Sequence, residues 1–322
     1  MRVDSEAVRR RGRAQLLAGE SRRSAVAIVR QLLAVQAQDL GSARLALRAR
    51  RPGLDANEIA EALRGRALVI SWLCRGTLHL VAAEDWSWLL TLTAHRQLAG
   101  NARRLAQEGV SASEAERALA AIKSALAEAG PLTRDELRSY VSAARVRSEG
   151  QAMIHVLRLA AFRGLIVACD EARYALAHDW LPQQKGVEPE AALQELAVRY
   201  RRGHACASPE DLARWAGITL REARTAWRGT REPEVEPLAL PRRLLPPFDP
   251  YLLGWAERGF AVPDHLRKRV FPGGGMLRAT ALQDGQVVGT WTRRGGRVQL
   301  TDGADASQFA AEIEDVERFL GC

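Results

Sequence analysis

Lysine is nearly absent from this chain of 322 residues, because arginine supplies all but three of its 47 basic residues. The basic residues outnumber the 38 acidic ones and leave a formal net charge of +9, with a pI near 10.1. Such a charge predicts a polyanionic partner, and it favours nucleic acid over an anionic membrane. The preference for arginine suits bidentate contacts with phosphate or guanine, although codon usage explains the same bias equally well.

Cysteine is sparse as well, and its positions form no recognisable pattern. The four cysteines are Cys74, Cys169, Cys206 and Cys322. They include no C-x-x-C pair and have no histidine at ligand spacing, which argues against a structural metal site and is typical of a reducing compartment. We therefore expect neither a metal nor an organic cofactor.

Long apolar runs are also missing from the sequence. No stretch approaches the ~20 apolar residues that a membrane-spanning helix needs. The first residues are charged and lead to Arg9-Arg10-Arg11, so no signal peptide is expected. The hydrophobic fraction of 47% and the charged fraction of 26% are those of a globular protein. We expect a cytoplasmic, nucleoid-associated protein of two or three domains.

The amino-terminal part has the pattern of a winged helix. Helical periodicity covers residues 5–18, 22–35 and 43–50, and a further helix is expected over 57–64. Two strand-like stretches follow, which are hinged at Arg75-Gly76. Helices followed by a two-stranded hairpin form the wing pattern of many DNA-binding domains.

Two further units follow after an alanine-rich helical connector. In the first, Thr133 and Glu136 form a capping-box pattern, and a helix over 150–163 precedes a short hairpin. In the second, residues 208–217 and 218–227 form two capped helices joined at a glycine, the pattern of a helix-turn-helix. Three loose copies of such a unit indicate an internal repeat.

The carboxy-terminal part changes to strands. Residues 276–301 have strand character with turns at Asp284-Gly285 and Gly295-Gly296, and a final helix is expected over 307–320. The predicted fold class is α+β, mainly α, with tandem winged-helix units and a small C-terminal β-barrel or sheet. The predicted segments are 1–95 with the first winged helix, 96–185 with the connector and second winged helix, 186–235 with the third helix-turn-helix, and 236–322 with the β domain and last helix.

A pair of glutamines, Gln36 and Gln38, follows the second predicted helix. Inside a helix the two side chains would point about 200° apart, whereas in an extended segment residues i and i+2 point the same way. A paired amide site therefore requires the helix to stop near Val35, and Gly41 and Ser42 fit that stop. The alternative interpretation is a solvated helix terminus without a function.

Four stretches, taken in order, resemble the winged-helix DNA glycosylases of the AlkZ and YcaQ type. They are Leu33–Asp39, Arg75–Val81, Leu245–Gly254 and Gly285–Trp291. The resemblance covers the whole chain. It implies tandem winged helices closed by a C-terminal β-barrel, and removal of bulky N-alkylated purines and interstrand cross-links. The functional element of that family, Gln-x-Gln or Gln-x-Asp, maps onto Gln36 and Gln38, and the Gln-Gln form is similar to the branch that gives self-resistance to DNA-alkylating natural products.

The chemistry of such an enzyme fits two amides. Loss of a base passes through an oxocarbenium-like sugar, and a purine alkylated at N7 is already cationic and ready to leave. An amide does not ionise at neutral pH, but it can position a water and turn its carbonyl oxygen towards positive charge. No lysine adjoins Gln36 or Gln38, so we expect a monofunctional hydrolase without lyase activity.

Other polar residues are candidates for contacts with double-stranded DNA or for accessory roles. The predicted DNA contacts are Arg44, Arg48, Arg75, Thr77, His79, Arg293, Arg294 and Arg297. The arginines of the last hairpin equally suit a soluble sheet edge, and His79 equally suits a satisfied core position. Asp39 and Asp249 are accessory candidates, for which a helix-flanking aspartate and a turn residue are the simpler accounts.

Two functions follow from these patterns. The first is a monomeric, monofunctional DNA glycosylase for bulky or N7-alkylated purines, with alkylated duplex DNA as its partner and interstrand cross-links among its candidate substrates. The second is a non-enzymatic winged-helix DNA-binding protein or transcriptional regulator. A regulator is more often dimeric and protects one preferred site, whereas an enzyme binds duplexes with little sequence preference and a steep salt dependence.

Overall fold

The computed structural model describes residues 4–19, 22–170, 172–182 and 186–321. The fold is α+β and mainly helical, as predicted. The chain divides into two compact units, Met1–Ala60 with Leu193–Cys322 and Glu61–Ala192. They are called here the first and the second unit, and the chain passes between them within helices α4 and α11. The four segments expected from the sequence remain a prediction.

The first unit is built from two distant parts of the chain. Its elements are α1 (Ser5–Ala14), α2 (Ala25–Leu32), β1 (Val35–Gln36), α3 (Leu40–Arg50), α4 (Ala56–Arg64), α11 (Pro189–Gly203), α12 (Pro209–Ala216), α13 (Leu220–Arg228), β7 (Arg243–Leu245), α14 (Pro250–Leu253), α15 (Asp264–Val270), β8 (Thr280–Gln283), β9 (Gln286–Arg294), β10 (Arg297–Thr301) and α16 (Ala310–Leu320). A short 3-10 helix, Ala306–Phe309, leads into α16.

The C-terminal strands form an open antiparallel sheet in the order β10-β9-β8-β7. Its central hairpin has Thr280 opposite Thr290, and the register shifts between Ala281 and Leu282. The strands, the turns and the small sheet were predicted from the sequence, whereas the barrel that the resemblance implied is not confirmed, because β7 and β10 lie at opposite edges of the described sheet.

An aromatic cluster fills the core beside this sheet. Trp255 and Tyr251 are almost completely buried, and their rings meet edge to face at 6.0 Å between centroids. Phe260 adds a second edge-to-face contact to each of them. The guanidinium of Arg11 lies 4.3 Å from the centroid of the Phe260 ring, so a cation closes the cluster on the α1 side.

The second unit carries its own sheet between helices. Its elements are β2 (Leu68–Trp72), β3 (Leu78–Ala82), α5 (Trp86–Thr93), α6 (His95–Gln107), α7 (Ala112–Ala129), β4 (Leu132–Thr133), α8 (Arg134–Ala143), α9 (Ala152–Phe162), β5 (Ile166–Ala168), β6 (Arg173–Leu176) and α10 (Ala177–Trp180). Strands β3, β2, β5, β6 and β4 are neighbours in that order. The core consists mainly of aliphatic side chains from α7, α8 and α9.

Local signals in the sequence placed several helix ends correctly. The Thr133 hydroxyl accepts from the Glu136 backbone while the Glu136 carboxylate accepts from the Thr133 N–H, which is a capping box. Ser208 and Thr219 cap α12 and α13 in the same manner, and Gly217 takes the left-handed conformation between them. The helix pair of a helix-turn-helix is therefore present, whereas the winged-helix arrangement of all three units stays a prediction.

Within the described parts of the chain, no helix has the length and apolar character that crossing a bilayer requires.

Candidate active site

A strained turn separates α2 from the glutamine pair. The helix ends at Leu32, three residues earlier than expected, and Leu33 has φ +68° and ψ −52°. The Ala34 N–H donates to the Leu32 carbonyl at 2.9 Å, which closes a three-residue γ-turn of the rare kind with a positive central φ. A leucine in this conformation is strained by about 1–3 kcal/mol, and its complete burial holds it there.

The turn sends the chain into the extended segment that holds the two amides. Gln36 is half-buried and Gln38 is exposed, while Ala37 between them turns inward and is buried. The Gln36 Nε2 donates to the Gln38 Oε1 at 3.2 Å. The two side chains therefore stand side by side, the arrangement that a paired amide site requires.

Asp39, next to the pair, serves as the N-cap of α3. Its carboxylate accepts from the backbone N–H groups of Gly41 and Ser42, both at 3.2 Å, and from the Ser42 hydroxyl at 2.5 Å. Gly41 and Ser42, which were expected to belong to the stop of α2, instead form the first turn of α3. The simpler account of Asp39, a helix-flanking aspartate, agrees with these contacts.

The prediction that Arg48 contacts DNA does not fit its surroundings. Its side chain is completely buried and forms ion pairs with Glu312 at 2.7 Å and Asp315 at 2.6 Å. Both carboxylates belong to α16, so Arg48 fastens the last helix of the chain to α3. Arg44, one turn earlier, is half-buried and remains a candidate for DNA contact.

Asp249 is likewise not available for chemistry. Its carboxylate forms a bidentate ion pair with Arg50, with N–O distances of 2.5 and 2.8 Å, and neither side chain reaches solvent. It also accepts from the Tyr251 N–H at 2.8 Å as the N-cap of α14. Arg50 additionally donates to the carbonyl oxygens of Gln15. The accessory role suggested for Asp249 is therefore replaced by a structural one.

Two of the predicted DNA contacts, Arg75 and Thr77, lie at the hinge between β2 and β3 of the second unit. Arg75 and Gly76 have φ values of +55° and +70°, which produces the predicted break between β2 and β3. The Thr77 hydroxyl donates to the Cys74 carbonyl at 3.1 Å. Arg75 and Thr77 are both half-buried, so part of each stays accessible to a ligand.

His79 is buried and uncharged at neutral pH. Its Nδ1 lies 2.9 Å from the Thr77 carbonyl oxygen and donates to it. Burial, with a smaller effect of the Arg75 charge, lowers the pKa of His79 to about 3. A neutral, enclosed imidazole does not attract a phosphate, so the satisfied core position describes His79 and the predicted DNA contact does not.

The last hairpin presents its arginines to solvent. Arg294 pairs with Arg297 across the turn, and both Gly295 and Gly296 have positive φ. Arg293, Arg294 and Arg297 are all exposed, and the Arg297 guanidinium lies 3.3 Å from the Glu317 carboxylate while staying 79% exposed. These three residues remain accessible for contacts with DNA.

The described residues hold no group of three or more histidine, cysteine or carboxylate side chains arranged to bind a metal ion. Burial raises the pKa of the Cys74 and Cys169 thiols to about 11. Neither cysteine is therefore a thiolate at neutral pH.

Sequence reasoning missed a second cluster of arginines in the first unit. Two adjoining depressions of about 560 and 250 Å³ share Arg23, Gln31 and Arg202. The arginines that line them are Arg13, Arg22, Arg23, Arg30, Arg199 and Arg202. These residues come from the end of α1, from α2 and the residues before it, and from α11. Because they are far apart in the sequence, no local motif predicts the cluster. We call this surface the arginine groove.

Comparison with known proteins identifies the family of this chain. The AlkZ-like DNA glycosylase family matches the chain over residues 29–319, so the chain belongs to that family, whose members act on DNA. The interstrand DNA cross-link repair glycosylase of Streptomyces sahachiroi is a relative, 25% identical over 316 residues that cover 86% of this chain and 84% of that protein. The solved structure of Streptomyces sahachiroi DNA glycosylase AlkZ shares the fold, with a TM-score of 0.79 and 23% identity over 98% of this chain and 96% of that one.

Proposed function

We propose that this protein is a monofunctional DNA glycosylase that hydrolyses the N-glycosidic bond of bulky or N7-alkylated purines, with Gln36 and Gln38 as its catalytic residues. The observation that carries the proposal is the hydrogen bond of 3.2 Å between the amide of the half-buried Gln36 and that of the exposed Gln38. Membership of the AlkZ-like family supports the reaction class, and the cross-link repair activity named for the Streptomyces sahachiroi relative supports interstrand cross-links among the substrates.

The amide pair acts by position and polarity. The Gln36 Nε2 donates to the Gln38 Oε1 and thereby fixes the direction of that carbonyl, which keeps a second lone pair. This lone pair accepts a hydrogen bond from a water molecule below the anomeric carbon, or faces the positive charge that develops on the sugar. Because the oxygen is oriented before the substrate arrives, its stabilisation of charge needs no reorganisation.

The reaction balances without an ionisable base on the protein. The water oxygen forms a bond with the anomeric carbon as the carbon–nitrogen bond to the purine breaks, and the electron pair of that bond neutralises the cationic ring. The water proton passes to solvent. We expect the amides to lower the activation free energy by about 3–5 kcal/mol, or roughly two to four decades in rate. The positive charge of the substrate supplies the rest of the rate enhancement. Uracil and unmodified bases, which leave poorly, should therefore not be released.

The deciding experiment uses a duplex that carries N7-methylguanine or a bulky N7 adduct at one position. After incubation, alkaline cleavage reveals abasic sites. The wild-type protein should release the base, and the double variant Gln36→Ala, Gln38→Ala should be slower by roughly two to four decades. Gln107→Ala is the matched control, since Gln107 is an exposed glutamine of α6 in the second unit whose amide bonds only Arg104 among the described residues.

Two outcomes would contradict the proposal in different ways. A double variant with the wild-type rate would remove the catalytic role from Gln36 and Gln38 while leaving the enzyme class in place. A wild-type protein that binds the duplex but releases no base would favour the non-enzymatic DNA-binding protein, for which the capped helix pair α12 and α13 is the supporting feature.

A further inference from the structure

We infer that the arginine groove of the first unit holds the phosphate backbone of duplex DNA, as a binding surface separate from the glutamine pair. This inference rests on the proposed action on DNA, and it adds a contact surface to the DNA contacts that were predicted from the sequence.

The groove is larger than the two depressions described above. A third depression of about 150 Å³ adjoins them through Arg202 and Pro233, and it adds Arg201 and Arg231 to the cationic lining. Arg202 therefore lines all three. An open row of depressions fits an extended polyanion, whereas a single small anion needs donors that converge on one enclosed point.

The wall of the groove is rigid. The Gln31 Nε2 donates to the carbonyl of Ala14 at 3.2 Å and to that of Arg202 at 2.9 Å, which ties the ends of α1 and α11 to α2. A Cβ on Gly203 would lie 2.6 Å from the Gln31 carbonyl oxygen, so α2 and α11 approach as closely as a glycine allows. The backbone that carries Arg202 therefore needs little rearrangement when a ligand binds.

Several of these cations are available to a ligand. Among the residues that the structure describes, no carboxylate lies within ion-pair distance of Arg22, Arg202 or Arg231, and all three are exposed. Arg201 differs, because its guanidinium pairs with Glu232 and lies 4.4 Å from the centroid of the Trp227 ring. Arg201 therefore has a structural role in the groove, whereas the guanidinium groups of Arg22, Arg202 and Arg231 are accessible to a ligand.

An acidic edge bounds the groove on one side. Glu234 and Glu236 are exposed and line the largest depression, whereas Pro233, Val235 and Pro237 alternate with them and turn inward. Phosphates are attracted by the arginines and repelled by this edge. The DNA backbone should therefore lie along the α2 and α11 side of the groove, and removal of the two carboxylates should tighten binding.

The experiment measures equilibrium binding of the full chain to an undamaged, fluorescently labelled duplex over about 50 to 200 mM salt. Each lost phosphate contact lowers the slope of log K against log salt by about 0.9, so the triple variant Arg22→Ala, Arg202→Ala, Arg231→Ala should lose roughly 2–3 from the slope. Binding at any one salt concentration should weaken roughly tenfold or more. The triple lysine variant at the same positions should restore the slope, because lysine keeps the charge.

The control replaces three exposed arginines of the second unit that already have carboxylate neighbours. They are Arg104 beside Glu108, Arg117 beside Glu114 and Arg134 beside Asp135. We expect this triple alanine variant to keep the wild-type slope. The double variant Glu234→Gln, Glu236→Gln should bind about threefold more tightly than wild type, an effect of the size expected when like charges are removed.

The results distinguish the inference from the proposed function. A wild-type protein that binds duplex steeply with salt, together with groove variants that keep the wild-type slope, would overturn the groove and leave the glycosylase proposal intact. A wild-type protein that binds no duplex would overturn both. Groove variants with a reduced slope should still release the alkylated base at the wild-type single-turnover rate once the DNA concentration saturates them, because Gln36 and Gln38 are unchanged.

Discussion

Gln36 and Gln38 are uncharged and reach the surface, whereas Arg48 and Arg50, further along in α3, are charged and completely buried. Each buried guanidinium has carboxylate partners, Glu312 and Asp315 for Arg48 and Asp249 for Arg50. In this part of the first unit, two buried charges thus connect distant parts of the chain, while two neutral amides lie where a ligand can reach them. A positively charged residue is therefore no guide by itself to the place where this protein meets DNA.

The strongest way to test this contrast is to break the buried pair. Asp249→Asn keeps the cap of α14, because asparagine is also a good N-cap, but it leaves the buried Arg50 without its counter-charge. We expect a loss of about 3–5 kcal/mol in the free energy of unfolding, which corresponds to a fall of roughly 10 °C in Tm. Thermal and urea denaturation measure it.

The matched substitution is Asp135→Asn on α8, where an exposed carboxylate lies 3.0 Å from Arg138. Because solvent screens that pair, the loss should stay below about 0.5 kcal/mol. Equal losses for Asp249→Asn and Asp135→Asn would mean that the Arg50–Asp249 pair does not connect the two parts of the first unit.

A smaller effect on the free energy of unfolding is expected from His204, a buried histidine that stays neutral in the folded protein. Burial lowers the pKa of His204 to about 3, and its ring stacks on Tyr200 with 4.2 Å between centroids. The folded protein therefore binds a proton on His204 less readily than the unfolded chain does, and stability falls as the pH drops from about 6.5 towards 3. Between pH 7 and pH 5 this one histidine should remove about 2 kcal/mol.

The variant His204→Phe isolates that contribution, because other titrating groups are shared with the wild type. Urea unfolding at pH 7 and pH 5 should show a loss that is about 2 kcal/mol smaller in the variant than in the wild-type protein. The same loss in both proteins would show that His204 does not carry the pH dependence.

The smallest effect should come from Asp39, the carboxylate next to the amide pair. Asp39→Asn keeps the hydrogen bonds to the Gly41 and Ser42 backbone and removes the charge. We expect a rate of base release within about threefold of wild type and no change in its pH dependence, because an N-cap takes no part in the chemistry. A rate of base release that falls a hundredfold or more would identify Asp39 as the general base. The site would then depend on a charged group and not on two neutral amides alone.

The features that sequence predicts correctly here are those set by near neighbours. The capping boxes of α8, α12 and α13 and the Gly295-Gly296 turn depend on residues within a few positions of each other. The side-by-side placement of Gln36 and Gln38 also follows from local geometry, once a helix end is assumed. Even so, the γ-turn at Leu33 was not predicted, since leucine seldom adopts a positive φ.

The features that sequence does not predict depend on contacts between distant segments. Arg48 and Asp249 are charged residues whose neighbours in sequence do not show their ion-pair partners, and the packing of α16 and α14 against α3 encloses them. The groove around Arg202 likewise forms where α1, α2 and α11 meet. The sequence left open whether the C-terminal strands form a sheet or a barrel for a related reason, because strand number and pairing at the edges depend on contacts between strands.

The γ-turn at Leu33 has a mechanical consequence. Leu33, Ala34 and Val35 are almost completely buried, and the bond from the Ala34 N–H to the Leu32 carbonyl leaves that turn no free torsion. The glutamine segment is therefore held in a fixed position relative to α2, with no flexible linker between them. For the proposed base release, the duplex rather than this segment of the protein would therefore have to change shape when a lesion does not fit.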